Sequence, residues 1–157
     1  MEFEAWLKRP EELDRKLYNL EEKIAILRSR AEKSTSVLSP TPGGSSCNDS
    51  RLEELVIKIA DLEAEEKRTR EELETSRVEM TLLFAELEDP RQIEILTLRY
   101  AHLLPIPEIV KMTDRSISCI KRDHRKGVEA ARVIFRQECE KMKSDLSVTL
   151  AWPLLEP

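Results

Sequence analysis

Four cations, Lys121, Arg122, Arg125 and Lys126, stand at i, i+1, i+4 and i+5. A helix turns once in about 3.6 residues, so this spacing gathers them on one face. The chemistry open to such a face is electrostatic. Its cations can neutralise phosphates, and a guanidinium among them can pair with a base edge. Lys121 and Arg122 are the candidates for base edges, with Arg125 and Lys126 nearer phosphates. Ser116 and Ser118 lie just upstream. Their hydroxyls suit backbone oxygens, although Ser116 serves equally well as a helix cap alone.

The other reactive groups form no comparable pattern. There are two His (His102, His124) and three Cys (Cys47, Cys119, Cys139), none at CxxC or HxxxH spacing. No zinc site follows from them, and scattered thiols suit a reduced, cytoplasmic chain. Carboxylates are abundant, but no pair stands out as a general acid and base. Three Gly in 157 residues disfavour Gly-rich phosphate loops. No apolar run approaches the roughly 18 residues of a membrane span, and the opening MEFEAWLKRPEEL has no signal-peptide core. The expectation is a helical, charge-rich protein that binds rather than catalyses, with no cofactor, no metal and no membrane partner.

The charge is unevenly spread. Residues 1–90 hold 14 Lys and Arg against 22 Asp and Glu. Residues 91–126 hold 8 against 4, a net of +4 inside a chain whose total is −5. A basic island in an acidic chain points to an anionic partner.

The elements that must position this island are helices. In residues 10–33, Leu13, Leu17, Leu20, Ile24, Leu27 and Ala31 recur at alternating spacings of 4 and 3. That is a heptad seam, and Pro10 suits the first turn of its helix. Residues 34–50, STSVLSPTPGGSSCNDS, hold two of the eight Pro and two of the three Gly and read as a flexible linker. A second seam runs through Leu52, Leu55, Ile59, Leu62, Leu73, Met80, Leu83 and Leu87, with polar Glu66, Thr69 and Ser76 in phase. Its helix, residues 51–88, is expected to start on Asp49 or Ser50 as cap and to end at Asp89-Pro90. The two helices are expected to form an antiparallel hairpin with Leu27 beside Leu55, Ile24 beside Ile59 and Leu17 near Glu66. Phe3, Trp6 and Leu7 would then cover the region from Leu73 to Met80. The polar seam positions also suit a homodimer.

Residues 78–135 change pattern. An apolar stretch with Ile93, Ile95, Leu96 and Leu98 ends in Arg99-Tyr100, which reads as structural. After a break come Glu108-Ile109-Val110, a turn at Thr113-Asp114-Arg115, and Ser116 capping a helix that runs at least to Phe135. The inward face of that helix carries Ile120, His124, Gly127 or Val128, Ala131 and Phe135, with His124 read as a core histidine. The layout is that of a helix-turn-helix.

The stretch DPRQIEILTLRYAHLLPIPEIVKMTDRSISCIKRDHRKGVEAAR resembles region 4 of sigma-70-type transcription factors. Leu98-Arg99-Tyr100, Glu108-Ile109-Val110, Ser116 and Ile120 fall in register with that family's pattern. The wider chain resembles small phage and prophage proteins of Gram-positive bacteria, some grouped under a domain of unknown function and some as phage transcriptional regulators. Arg51-Leu52-Glu53, Lys58-Ile59, Asp61-Leu62-Glu63, Asp89-Pro90, Arg99-Tyr100, Arg122 and His124 carry this match. Pro105 stands where Ser or Thr usually caps the first motif helix, so that helix is expected to begin at Pro107. Thr113 and Arg115 replace apolar residues, which predicts loose packing at the turn. Asp123 replaces another and is expected to set an anion within the basic face.

The expected fold is all-α, a helical hairpin or coiled coil carrying a C-terminal helix-turn-helix. The resemblance implies a sequence-specific DNA-binding transcriptional regulator, with double-stranded DNA held by Ser116, Ser118, Lys121, Arg122, Arg125 and Lys126. Two rivals remain. One is a protein-interaction module that binds RNA polymerase or another protein. The other is a phage DNA-packaging adaptor. The apolar residues of the 144–157 tail either cover a patch or lie free.

Overall fold

The computed structural model describes residues 2–36 and 46–150, and the side chains of 2–34 and 50–144. Among the described residues every regular element is helical and no strand forms. The α-helices are α1 (Phe3–Ser36), α2 (Ser46–Ala85), α3 (Pro90–Leu96), α4 (Ile106–Thr113) and α5 (Ile117–Leu150). A π-helical turn, Thr97–Ala101, continues α3. The chain divides into two compact units, one formed by Glu11–Thr75 and the other by the residues on either side of it.

The residues expected as a linker are helical at both ends, 34–36 within α1 and 46–50 within α2. Residues 37–45 lie outside the described residues, as do residues 151–157 of the tail. Asp49 and Ser50 lie inside α2 rather than capping it. Pro10 does not open α1 either; the helix begins at Phe3 and Pro10 sits within it, buried. A proline there removes one helical N–H and costs about 3 kcal/mol. Burial of Phe3, Trp6 and Leu7 offsets this, since each full burial of a large apolar side chain returns about 1.5–3 kcal/mol.

In the unit Glu11–Thr75, Leu17, Leu20 and Ile24 of α1 and Thr69 and Leu73 of α2 are buried. Ion pairs join the two helices at Arg28–Glu63 (2.6 Å) and Glu21–Arg70 (2.9 Å), while Lys16–Glu65 (2.9 Å) slants along them. With 21 against 70, Leu17 falls level with Leu73 rather than with Glu66, so α2 is shifted by about eight positions from the expected register. The shift takes a carboxylate away from a buried leucine, which an apolar seam favours. It leaves Leu52, Leu55 and Ile59 only half-buried, and Val56 and Ile57 exposed.

The second unit holds two apolar clusters. In the first, Phe3, Trp6 and Leu7 meet Met80, Phe84, Leu87, Leu96 and Ala131, so the aromatic start of α1 covers the end of α2 beyond the seam position expected for it. Trp6 packs edge-on to Phe84 (6.2 Å) and tilted on Phe135 (5.1 Å). In the second, Ile95, Ile109 and Ile120 are fully buried, one each from α3, α4 and α5. Ser76 is also fully buried, and its hydroxyl has no hydrogen-bond partner.

Asp89-Pro90 starts a helix instead of ending one. Asp89 accepts the Arg91 backbone N–H at 2.9 Å as the N-cap of α3, and Pro90 takes the first helical position, where its missing N–H costs nothing. α2 has already ended at Ala85.

Candidate nucleic-acid interface

The site is built on α4, α5 and the turn between them. α4 is two turns long and begins at Ile106, one residue before the expected start. Pro105 precedes it in extended geometry, and Pro107 lies in its first turn. The helix stops because Asp114 adopts the left-handed conformation (φ 50°, ψ 36°), which Asp tolerates better than most side chains. Thr113 belongs to α4, and its hydroxyl donates to the Ile109 carbonyl at 2.7 Å. Ser116 then caps α5. Its Oγ accepts the Cys119 N–H (3.4 Å), and its carbonyl accepts the Ile120 N–H (3.1 Å).

Arg115, one of the two residues expected to loosen the turn, is half-buried, and its Nη1 is buried without a hydrogen-bond partner. Its guanidinium reaches Glu94 on α3 at 3.0 Å and pins the turn to the helix behind it. The two residues are 21 positions apart. No local pattern links them, so sequence reasoning missed the pair.

α5 is set against the unit by its inward face. Ile120 and Ala131 are fully buried, and Gly127 is buried against α3. A Cβ at Gly127 would stand 3.1 Å from Leu96 Cδ1 and 3.2 Å from Gln92 Cβ. Glycine is therefore what lets α5 approach α3 this closely. His124 stacks on Tyr100 (5.7 Å between ring centres), and its Nε2 lies 3.0 Å from the Tyr100 hydroxyl. Burial, helped by the charge of Arg99, holds the His124 pKa below its ordinary 6.5. In a neutral imidazole one ring nitrogen donates and the other accepts, so the direction of this hydrogen bond follows the His124 tautomer. Burial raises the Tyr100 pKa, with Arg99 opposing, and this keeps the hydroxyl protonated. The π turn carries Arg99 and Tyr100, and the His102 N–H closes it on the Thr97 carbonyl at 3.0 Å.

The outward face of the first turns of α5 holds five of the six sequence-selected residues, and Ser116 precedes the helix as its cap. Ser116, Ser118, Lys121, Arg122, Arg125 and Lys126 are exposed. Lys121, Arg125 and Lys126 form no ion pair with any described residue. Asp123 does not share this face. It is 7% exposed, and its Oδ1 accepts from Arg122 Nε at 3.3 Å. Successive helical residues are rotated by about 100°, so Asp123 falls on the stripe of Ile120 and Gly127 at i−3 and i+4, both buried. The anion expected within the basic face is folded under its edge, where it holds the stem end of the Arg122 guanidinium. That leaves the two terminal nitrogens of Arg122 to point elsewhere.

Among the described residues no group of three or more His, Cys, Asp or Glu converges as a metal site would, and Cys119 and Cys139 are unpaired. No described helix is long and apolar enough to cross a membrane. Comparison with family models, with curated proteins and with solved structures finds no match to this chain.

Proposed function

We propose that the chain is a sequence-specific, non-catalytic DNA-binding regulator of transcription, of the phage or prophage type its sequence resembles. α4, the Asp114 turn and α5 act as a helix-turn-helix, and α1 and α2 form a helical hairpin. The observation that carries this reading is the start of α5, where four exposed cations, three of them without an ion pair to any described residue, follow a capped turn. The major groove of duplex DNA is about 12 Å wide and admits one helix. In that groove Lys121 and Arg122 face base edges, Arg125 and Lys126 face phosphates, and Ser118 faces backbone oxygens. Ser116 is used as the cap and adds at most one backbone contact. The left-handed Asp114 and the Arg115–Glu94 pair hold α4 and α5 in one geometry, which lowers the ordering cost of binding.

Selection from a random duplex library tests the reading. The expected result is enrichment of one motif by the full chain. Retention of random sequence without enrichment would refute sequence-specific regulation. Co-purification with RNA polymerase in the absence of any DNA binding would favour the interaction module.

A further inference from the structure

Away from the basic face, the second unit carries an open groove of about 530 Å³ between the start of α1, the end of α2 and the later turns of α5. Trp6, Leu83 and Phe135 line it, and each also packs in or against the aromatic core. Leu82 and Met142 line it too, yet are 65% and 64% exposed. Together with Trp6, Leu83 and Phe135 they make a contiguous apolar lining, the kind of surface that binds a partner rather than a scatter of single exposed residues.

Three carboxylates, Glu79, Glu86 and Glu138, border the same groove, against one cation, Arg9. Arg9 lies 3.9 Å from Glu79, and Lys141 pairs with Glu138 at 2.6 Å. Glu86 makes no ion pair with any described residue, and its charge reaches Lys141 only at longer range than Glu138 does. With Arg9 and Lys141 already paired, this border offers neither of them to a nucleic acid or an anionic lipid surface, and Glu86 adds an unneutralised anion. It also disfavours residues 151–157, which contain Glu156 and no Lys or Arg. A second copy presenting the same groove would set carboxylate against carboxylate.

We propose that the groove docks an amphipathic helix of a protein partner whose apolar anchors are flanked by Lys or Arg. Apolar anchors at i, i+3 or i+4, and i+7 would seat over Leu82, Leu83, Phe135 and Met142. Flanking cations would meet Glu86 and compete with Lys141 for Glu138. Phe135 lies nine positions, about 14 Å of helix, beyond Lys126 on α5. The groove and the basic face can therefore be occupied together, which makes the chain an adaptor between an anionic and a cationic partner.

Two synthetic 14-residue peptides with the same helical leucine spacing, one filled with Lys and one with Glu, serve as probes against the full chain. The Lys peptide is expected to bind at least tenfold tighter than the Glu peptide. Leu82→Gln with Met142→Gln should weaken the Lys peptide at least tenfold, with an unchanged circular dichroism spectrum because both side chains are exposed. Glu86→Gln should weaken it several-fold. Wild-type affinity in the Leu82→Gln/Met142→Gln variant would place the binding elsewhere and overturn the proposal. A tenfold gain in Lys-peptide affinity on deleting residues 151–157 would overturn it in favour of an internal occupant. A dimer of the wild type that the same double variant dissolves would overturn it in favour of a second copy.

Discussion

Replacing Gly127 with Ala separates two opposing effects whose sizes are known. In a helix interior Ala is favoured over Gly by about 1 kcal/mol. Here the new methyl group would meet Leu96 Cδ1 at 3.1 Å, Gln92 Cβ at 3.2 Å and Leu96 Cγ at 3.3 Å. Leu96 is fully buried and cannot swing into solvent, and the Gln92 Cβ is fixed to the α3 backbone. Overpacking of this kind costs about 1–3 kcal/mol. The net expectation is destabilisation by about 1 kcal/mol. Urea unfolding should show a lower midpoint with an unchanged slope. Leu96→Val removes Cδ1, so adding Gly127→Ala in that background should cost less, with a coupling of about 0.5–1 kcal/mol. A stabilisation of about 1 kcal/mol in the single variant, the bare propensity gain, would refute the close approach of α5 to α3.

Arg125→Ala and Lys126→Ala should each weaken all duplex sequences alike and reduce the salt slope of log K by about 0.9; an unchanged slope would remove them from the phosphates. Arg122→Ala should cost about 1–3 kcal/mol at the selected motif and much less on random duplex, as read by competition shift assays. Asp123→Ala, by releasing Arg122 Nε, should lower the ratio of specific to random binding; an unchanged ratio would show that the 3.3 Å contact does not orient Arg122. His124 has a folded pKa below its ordinary 6.5, so the native state binds fewer protons than the unfolded state just below that pH. Stability should therefore be full above pH 6.5 and fall as pH drops from there through the folded pKa. His124→Gln should flatten that acid limb in pH-dependent urea unfolding, and an unaltered limb would assign it to other groups.

The elements were legible where the signal is periodic and local. Leu17, Leu20, Ile24, Leu73, Met80 and Leu87 were picked from heptad spacing, and all are buried. Asp114 and Ser116 were picked from turn and cap chemistry, and both act there. The misreadings arose where a distant contact overrules a local preference. Pro10 reads as a helix start, but the aromatic cluster around Trp6 and Phe84 extends α1 past it. Asp89-Pro90 fits the end of one helix and the start of another equally well, and only the three-dimensional path chooses. The register of α1 on α2 depends on which leucines meet, and a repeating seam offers several matches about one or two heptads apart. At the candidate site, the outward face followed from helical spacing alone. Asp123 is the exception: a carboxylate in place of an apolar residue reads as part of the charged face, but its i−3 and i+4 neighbours, Ile120 and Gly127, carry the signal that it points inward.

The central claim is that the exposed cations of early α5 hold duplex DNA, and one comparison tests it most directly. Wild type and the Lys121→Ala/Arg122→Ala/Arg125→Ala/Lys126→Ala variant are titrated against the DNA flanking the chain's own coding sequence, at two salt concentrations. All four side chains are exposed, so the variant keeps its helical circular dichroism spectrum. The expected result is wild-type binding that weakens steeply with salt, and loss of most of that binding in the variant at low salt. Equal binding by the two proteins, or binding by neither, would contradict the account.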